Sequence, residues 1–225
     1  MHRSNIAGVV LAGGEGSRLG GIVKPLLRVG GVPILGRTTA GIRGKVSSLL
    51  ISTGTYPAER FAGFDADALV PDREGPSAGP LAGLFAAVAH LRALDDAPDW
   101  LFSVAGDCPD LPPDLLERLV DAVTAEIDAV FPAFGGQAYP PNALWRVSAL
   151  SAHFDALGGD PQGRGPRQLI APSRRCDVDF SQTSADNPFE GLNTLADLVR
   201  LAKTRNAAPM ADLPNSGLGK AGQTR

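Results

Sequence analysis

Two hydrophobic patterns alternate along the chain and predict an α/β protein. Short apolar runs predict strands that are buried on both faces of a sheet, beginning with Ile6, Val9, Val10 and Leu11. Between these runs apolar residues recur at helical spacing, most clearly after Pro80. The predicted strands are 6–11, 46–53, 68–70, 100–104, 129–132, 143–145 and 176–180. The predicted helices are 33–43, 80–91, 113–125, 148–157 and 195–203.

The predicted sheet is mostly parallel and has an antiparallel edge. Segment 143–145 follows a loop rich in glycine and proline and is expected to pair as an antiparallel strand, and 176–180 is expected to be a terminal edge strand. Open α/β sheets bind ligands at the carboxyl ends of their strands. Ser52 and Thr53 end the second strand, so they either face a ligand there or form a turn.

A glycine-rich segment with two cations follows the first strand. Gly13, Gly14 and Gly16 remove side chains where the backbone turns, so successive N–H groups can surround a polyanion. Arg18 adds a planar guanidinium and Lys24 a mobile point charge. The segment predicts a loop that binds phosphates, and the alternative is a glycine-rich turn with incidental cations.

Two well-known glycine motifs do not fit this segment. A Walker loop has glycine before its lysine and Ser or Thr after it, whereas Val23 and Pro25 flank Lys24. A dinucleotide fingerprint needs a third glycine where Leu19 stands. The spacing therefore argues against an NAD-dependent oxidoreductase.

Asp107 comes directly after the strand 100–104 and before a proline-bounded turn. A carboxylate in this position lies where open α/β sheets bind ligands. Mg²⁺ commonly binds through one or two protein groups together with phosphate oxygens and water. Asp107 is therefore a predicted metal ligand; the alternative is a helix cap, which Asp110 or Asp114 would supply more directly.

Length and composition narrow the class of protein. A chain of 225 residues with 44% hydrophobic and 20% charged residues is expected to form one globular domain. No apolar run is long enough to span a membrane, no secretory signal is recognisable, and Cys108 and Cys176 form no disulfide framework. We therefore predict a cytoplasmic protein without a membrane partner.

Charge is unevenly distributed along the chain. The net charge of −3 argues against nucleic-acid binding. Residues 1–45 contain seven Lys or Arg and one Glu, which gives +6, so a local patch suits a small polyanion. The folded domain is predicted to be 1–203, and 204–225 is predicted to be a disordered tail because it lacks apolar periodicity.

The glycine-rich segment also carries a family resemblance. Its order, L-A-G-G at 11–14, S-R-L-G-G at 17–21 and then a lysine six residues after Arg18, closely resembles the signature loop of the molybdenum cofactor guanylyltransferases. Three further motifs follow in the same order as in that family, and the resemblance covers about residues 6–200. They are G-P-L-A-G at 79–83 after Asp72, G-D-C-P at 106–109, and the end from Asp179-Phe180 to Asn193-Thr194.

The resemblance implies a single-domain, Rossmann-like, three-layer α/β/α nucleotidyltransferase fold. It also implies transfer of GMP from GTP to the terminal phosphate of molybdopterin, with Mg²⁺ as cofactor and release of pyrophosphate. GTP and molybdopterin are the implied small-molecule partners. Cofactor-synthesis enzymes and the chaperones of recipient molybdoenzymes are further candidate partners.

The resemblance also assigns roles to individual residues. Catalysis is assigned to Arg18, Lys24 and Asp107, and the metal to Asp107 and Asn193. The nucleotide-binding residues are Leu11, Ala12, Gly13, Gly14, Gly16, Ser17, Lys24, Ser52, Thr53, Asp72, Gly79, Pro80 and Leu81. Arg164 and Arg167 are candidates for contact with the acceptor phosphate, and ordinary surface solvation is the alternative for both. Asn193 is equally well explained as a helix cap beside Thr194.

Three departures from the family pattern keep other functions open. Ser52 and Thr53 stand where an amide side chain is expected to read guanine, which leaves cytidylyl transfer as an alternative, or transfer of a nucleotide to another small phosphate. Val23 stands where aspartate is frequent, and Tyr139 where histidine often precedes proline. These two departures favour a second alternative, a non-catalytic regulator that binds nucleotides.

Overall fold

A central β-sheet organises the chain. The computed structural model describes residues 5–13, 23–72, 79–158, 165–192 and 194–206. The strands in these ranges are β1 (Ile6–Leu11), β2 (Arg28–Val29), β3 (Val32–Pro33), β4 (Ser48–Gly54), β5 (Ala68–Pro71), β6 (Trp100–Ala105), β7 (Ala129–Phe134), β8 (Gln137–Ala138), β9 (Leu144–Arg146) and β10 (Arg175–Asp179). The helices are α1 (Ile34–Ile42), α2 (Pro80–Leu91), α3 (Leu115–Asp121), α4 (Val147–Ala156) and α5 (Leu195–Asn206).

The sheet has the strand order β10-β7-β9-β6-β1-β4-β5, and β8 pairs with β7. β1 pairs in parallel with both β4 and β6, so these three strands end at the same edge. Helices α2 and α4 pack on one face, and α1 and α3 pack on the other. The three-layer α/β/α arrangement with a mostly parallel sheet confirms the predicted fold class.

The antiparallel strand predicted at 143–145 is confirmed as β9, and it lies inside the sheet, whereas the predicted sheet has its antiparallel pairing at an edge. β9 pairs antiparallel with β6 on one side and with β7 on the other. Leu144 and Trp145 are fully buried on opposite faces of the sheet, Trp145 in the cluster with α2 and α4 and Leu144 in the cluster with α1 and α3. β10 confirms the predicted terminal edge strand, and it carries Arg175, Asp177 and Asp179, charges that protect an unpaired edge.

Most of the predicted element boundaries agree with the structure within a few residues. The largest difference is α3, which covers Leu115–Asp121 instead of 113–125. The chain turns after Asp121, where Val123 donates its N–H to the carbonyl of Val120. Val123 and Thr124 are β-branched and therefore continue a helix poorly.

The last helix closes the described part of the chain. Thr194 caps α5, because its Oγ1 accepts the Asp197 N–H at 3.2 Å while its own N–H donates to Asp197 Oδ2 at 2.8 Å. α5 packs on the β2–β3 hairpin through Leu198 and Leu201. It ends at Asn206, and the predicted tail beyond it lies outside the described residues. None of the helices in the described ranges has the length and hydropathy needed to cross a bilayer.

Candidate active site

The candidate site lies at the carboxyl ends of three adjacent parallel strands. Leu11, Ser52 and Ala105 come at or near the ends of β1, β4 and β6 and share the face of the sheet that α2 covers. The chain extends the sheet from β1 to β5 on one side and then crosses to β6 on the other side. Such a switch point opens a crevice between strands, which is where α/β sheets bind ligands.

A cleft of about 220 Å³ occupies this crevice. Its lining is formed by strand ends, by the turn at Lys24 and by the start of α2. The lining residues are Leu11, Gly13, Lys24, Pro25, Ser52, Asp72, Gly79, Pro80, Gly83, Ala105, Asp107 and Pro141.

Two glycines allow the backbones of β1 and β4 to touch at the floor of the cleft. A Cβ atom on Gly13 would lie 2.2 Å from the Cα of Gly54, which is closer than any real contact. Gly54 also has φ of +64°, a conformation that residues with side chains rarely adopt. Only glycine fits at Gly13, so the start of the predicted phosphate loop is fixed against β4.

Lys24 and Asp107 face each other across the cleft. The Lys24 Nζ lies 3.9 Å from Asp107 Oδ2, and both side chains are partly exposed, at 15% and 25%. Burial raises the pKa of the Asp107 carboxyl, and the positive charge of Lys24 lowers it again. Pro25 holds the Lys24 turn against the Asp107 loop, since a Cβ on Gly106 would lie 3.1 Å from Pro25 Cγ. The site therefore pairs a cation with a carboxylate at the switch point.

The chain returns to Asp107 near its carboxyl end. The Leu192 N–H donates to the Asp107 carbonyl at 3.2 Å. A Cβ on Gly191 would lie 2.7 Å from Asp107 Oδ2, so the Gly191 backbone packs directly on the carboxylate. Asn193 itself lies outside the described residues, but Leu192 and Thr194 on either side of it belong to this return. Thr194 provides the cap of α5, and both roles predicted for Asn193 stay predictions.

Cys108, next to Asp107, is a structural residue. Its thiol is 1% exposed and donates to the Phe189 carbonyl at 3.4 Å. Burial, and secondly the charge of Asp107, raise the pKa of the thiol well above its usual range. A thiol that stays protonated in the core does not act as a nucleophile.

Asp72 follows β5 and faces the cleft with one oxygen unsatisfied. Its Oδ1 is buried without a hydrogen-bond partner in the described part of the chain. Burial raises the pKa of Asp72 to about 6, and a hydrogen bond with Ser52 opposes this shift. Gly83 of α2 makes room for Ser52, since a Cβ there would lie 2.6 Å from Ser52 Oγ. The pair offers an acceptor to a ligand that carries N–H donors.

The pKa of Asp72 predicts how stability depends on pH. Because the folded pKa exceeds the unfolded one, this carboxyl contributes stability below pH 4 that is lost as pH rises through about 6. A full shift corresponds to about 3 kcal/mol, and the partial exposure of the residue reduces our expectation to about 1–2 kcal/mol. Urea unfolding should show D72N gaining this free energy of unfolding over wild type between pH 4 and 7.

A matched control separates this effect from a general loss of negative charge. Asp96 is exposed, so D96N should track the wild type across the same pH range within about 0.5 kcal/mol. A constant difference between D72N and wild type at all pH values would contradict the assignment of the raised pKa to Asp72.

The structure brings together eight of the predicted site residues. They are Leu11, Gly13, Lys24, Ser52, Asp72, Gly79, Pro80 and Asp107. Six further predicted residues, Gly14, Gly16, Ser17, Arg18, Arg164 and Asn193, lie outside the described residues.

Four predicted residues do not line the cleft. Ala12, Thr53 and Leu81 are fully buried, and Thr53 lies where β4 shifts register against β5, between Ser52 and Gly54. Of the two sequence interpretations of this pair, the ligand-facing one thus fits Ser52 alone. Arg167 is an exposed residue that pairs with Asp177, 3.4 Å away on β10. This contact fits the surface alternative for Arg167.

Sequence reasoning missed four lining residues: Pro25, Gly83, Ala105 and Pro141. The signal for Ala105 was available, because it follows the same strand alternation as the other residues on that face. Gly83 also had a signal, since a glycine inside a predicted helix costs stability unless close packing requires it. Pro141 comes from the segment before β9, and its place depends on the interior position of that strand.

The residues around Asp107 fit a divalent ion that is held mainly by substrate. Within the described ranges, no three His, Cys, Asp or Glu residues cluster as ligands. One carboxylate on the cleft wall is nevertheless a suitable donor set for an ion that also binds phosphate oxygens and water. A side chain at Gly191 would displace this carboxylate, since its Cβ would lie 2.7 Å from Asp107 Oδ2.

Comparison with known proteins identifies relatives over almost the whole chain. A family model described as MobA-like NTP transferase domain matches residues 8–178. A molybdenum cofactor guanylyltransferase from Bradyrhizobium sp. (strain ORS 278) is 36% identical over 208 residues, which cover 92% of this chain and 95% of that protein. One from Rhodobacter capsulatus is 35% identical over 206 residues, covering 91% of this chain and 99% of that protein.

A solved structure shares the fold. Molybdopterin-guanine dinucleotide biosynthesis protein A from Archaeoglobus fulgidus superposes with a TM-score of 0.68. It is 20% identical, and the match covers 89% of this chain and 98% of that one. At this identity the likeness concerns the fold alone.

Proposed function

Because the chain belongs to the MobA-like NTP transferase family, we propose that it transfers the guanylate of GTP to the terminal phosphate of molybdopterin and releases pyrophosphate. The observation that carries this proposal is the Lys24–Asp107 pair, 3.9 Å apart at the switch point of the sheet. The relatives named above as guanylyltransferases support the choice of substrates.

Catalysis at this site would consist of positioning and charge neutralisation. The attacking group is an oxygen of the acceptor phosphate, so no side-chain nucleophile is needed. The Lys24 ammonium would offset negative charge on the departing pyrophosphate. The amino end of α2, at Gly79 and Pro80, adds partial positive charge on the opposite wall of the cleft. Arg18 is proposed to assist Lys24.

The two reacting phosphates repel each other, and this repulsion determines what the site must supply. Each pair of unit charges at about 4 Å costs about 4 kcal/mol at an effective dielectric constant of 20. Asp107, with Asn193 as a proposed second ligand, would hold a divalent ion, and we propose Mg²⁺. Such an ion would supply positive charge that offsets this repulsion, in addition to the charge of the Lys24 ammonium.

Asp72 supports guanine as the base. Its unsatisfied Oδ1 needs a donor, and the partly exposed carboxylate lies in the cleft beside Ser52. Guanine presents two adjacent donors, its N1–H and its amino group, which suit a carboxylate. Protonation of Asp72 removes this acceptor, so we expect GTP affinity to fall as pH falls below about 6.

Pyrophosphate release with each of the four NTPs, with and without molybdopterin, tests the proposal. We expect rapid release only when GTP and molybdopterin are both present. Release with CTP should be at least about a hundredfold slower, because a wrong base leaves hydrogen bonds of the site unmade. Release with CTP and not with GTP would contradict the guanylyl assignment. Such a result would favour cytidylyl transfer, the alternative that Ser52 in the cleft supports.

The biological setting stays a prediction from the sequence. We propose that the reaction takes place in the cytoplasm. We also propose that the product passes to recipient molybdoenzymes through their chaperones.

A further inference from the structure

We propose that Asn142 and Tyr139 are positioning residues of the transfer site, which together hold the Asp107 loop and the returning segment against each other. The Asp107 loop is residues 105–108, and the return segment is residues 187–192. Neither positioning side chain is among the residues that line the cleft. The inference rests on the proposed function, because it concerns the alignment of Asp107 for that reaction.

Asn142 holds the Asp107 loop on both sides of Asp107. Its Oδ1 accepts the Ala105 N–H at 2.8 Å, and its Nδ2 contacts the Cys108 thiol at 4.0 Å. β9 pairs with β6 only from Trp100 to Phe102, so the amide replaces a sheet hydrogen bond where β9 has already diverged. The side chain is 1% exposed, which makes each lost bond costly.

The Cys108 thiol continues this chain of contacts to the return segment. Its sulfur accepts a contact from the Asn142 amide N–H, and its S–H donates to the Phe189 carbonyl at 3.4 Å. Asn142 therefore helps to fix the position of Asp107 in two ways. It bonds directly to the Asp107 loop, and through Cys108 it is linked to the return segment, which packs on the carboxylate.

Tyr139 holds the other end of the return segment. The Asn187 amide donates to its Oη at 2.5 Å, and its ring centroid lies 5.6 Å from that of Phe189. The Asn187 Oδ1 in turn accepts the Phe189 N–H at 3.1 Å. Tyr139 and Asn142 belong to one turn, since the Asn142 N–H donates to the Tyr139 carbonyl at 3.0 Å.

These contacts hold the Asp107 loop and the return segment, which are far apart in sequence, in one fixed relative position. Asp107 touches Gly191 of the return segment, and the turn from Tyr139 to Asn142 contacts both segments near this point. A shift of about 1 Å at a reacting group can lower a rate about a hundredfold. The turn is therefore expected to affect the chemical step more than the binding of GTP.

The test compares N142A and Y139F with S103A, a matched control. Ser103 is a buried residue of β6 whose Oγ accepts the Trp145 indole N–H at 2.8 Å and also bonds to the backbone of Ala143. Among the described residues, no hydrogen bond joins its side chain to residues 105–108, so S103A removes a buried polar group without removing a contact of the Asp107 loop. Pyrophosphate release over a range of Mg²⁺ concentrations gives kcat, KM for GTP and the concentration for half activation. Binding of Mn²⁺ to the protein with a non-hydrolysable GTP analogue gives a second readout that needs no acceptor.

We expect N142A to lower kcat about ten- to a hundredfold and to raise the metal concentration for half activation about tenfold, with KM for GTP within about threefold. Y139F should lower kcat about tenfold, and the double variant should lower it by less than the product of the two effects because both act on one alignment. S103A should melt at a lower temperature and keep the metal dependence of wild type.

Two results would overturn the inference. One is an N142A protein whose kcat and metal dependence match those of S103A, and the other is fully multiplicative effects of N142A and Y139F. If N142A does not fold, C108A and C108S replace it, and C108S should recover activity that C108A loses. Failure of wild type to release pyrophosphate from GTP would instead contradict the proposed function, while Mn²⁺ binding would still compare the variants.

Discussion

Replacing Asp107 by asparagine is expected to lower kcat about a thousandfold while the protein still folds and still binds GTP. The substitution keeps the shape of the side chain and removes its charge, so the proposed metal site loses its carboxylate ligand. Loss of one preorganised electrostatic group typically costs about a hundred- to a thousandfold in kcat. Steady-state pyrophosphate release measures the loss.

The fold should tolerate D107N because the hydrogen bonds that hold the Asp107 loop are made by its backbone and not by the Asp107 side chain. The Leu192 N–H still reaches the Asp107 carbonyl, and Asn142 still holds Ala105. Burial raises the pKa of this carboxyl, so removing its charge also removes a desolvation cost. We therefore expect a Tm at or above that of wild type, and GTP affinity within about threefold.

D110N is the matched control for this substitution. Asp110 lies three residues after Asp107, is exposed and does not line the cleft. It should keep wild-type turnover within about twofold. Turnover of D107N within tenfold of wild type would contradict the metal assignment. A wild type that binds GTP and never releases pyrophosphate would favour the nucleotide-binding regulator.

The parts of the site that could be predicted from the sequence are those that depend on one strand and the loop after it. Gly13 and Asp107 each follow a buried apolar run, and parallel strands bring their carboxyl ends to one edge. Neighbouring strand ends in a parallel sheet must meet, so two separate motifs could be assigned to one cleft. The mostly parallel sheet follows from the same pattern, whereas the two helical layers are what the family resemblance implies.

The parts that could not be predicted depend on strand order and on contacts between distant segments. β9 reads as an ordinary short apolar run, and nothing in its sequence indicates that it lies between β6 and β7. The place of Asn142 beside Ala105 follows from that order, so its role could not be inferred from the residue. Gly191 touches Asp107 across more than eighty positions of sequence, a contact without local periodicity.

Strand alternation shows a prediction that could have been sharper. Ser52 and Thr53 are adjacent polar residues, and the sequence interpretation treated them alike. Because successive side chains point to opposite faces, only one of them can share the face of Leu11 and Ala105. The structure places Ser52 there, level with Leu11 and Ala105. Thr53 lies at an irregularity of β4 and is buried, and its hydroxyl is unsatisfied by the described residues.

The contact between Gly191 and Asp107 leads to the second large expected effect. G191A adds one methyl group, and its Cβ would lie 2.7 and 2.8 Å from the two carboxylate oxygens of Asp107. Real Cβ atoms do not approach so closely, so either the carboxylate or the return segment must move. A displacement of about 1 Å at this point should lower kcat about a hundredfold.

Thermal unfolding and metal titration show whether the methyl group of G191A displaces the Asp107 side chain or the return segment. We expect a decrease in Tm of only a few degrees, because the Asp107 side chain can rotate away into the cleft, together with a higher Mg²⁺ requirement. G63A controls for the loss of a glycine, since a Cβ on Gly63 meets nothing within 4 Å. If G191A kept wild-type kcat and metal dependence, the return segment would not constrain the carboxylate. D107N/G191A should be no slower than D107N, because the methyl group lowers kcat only by displacing the carboxylate, whose contribution the first substitution has already removed.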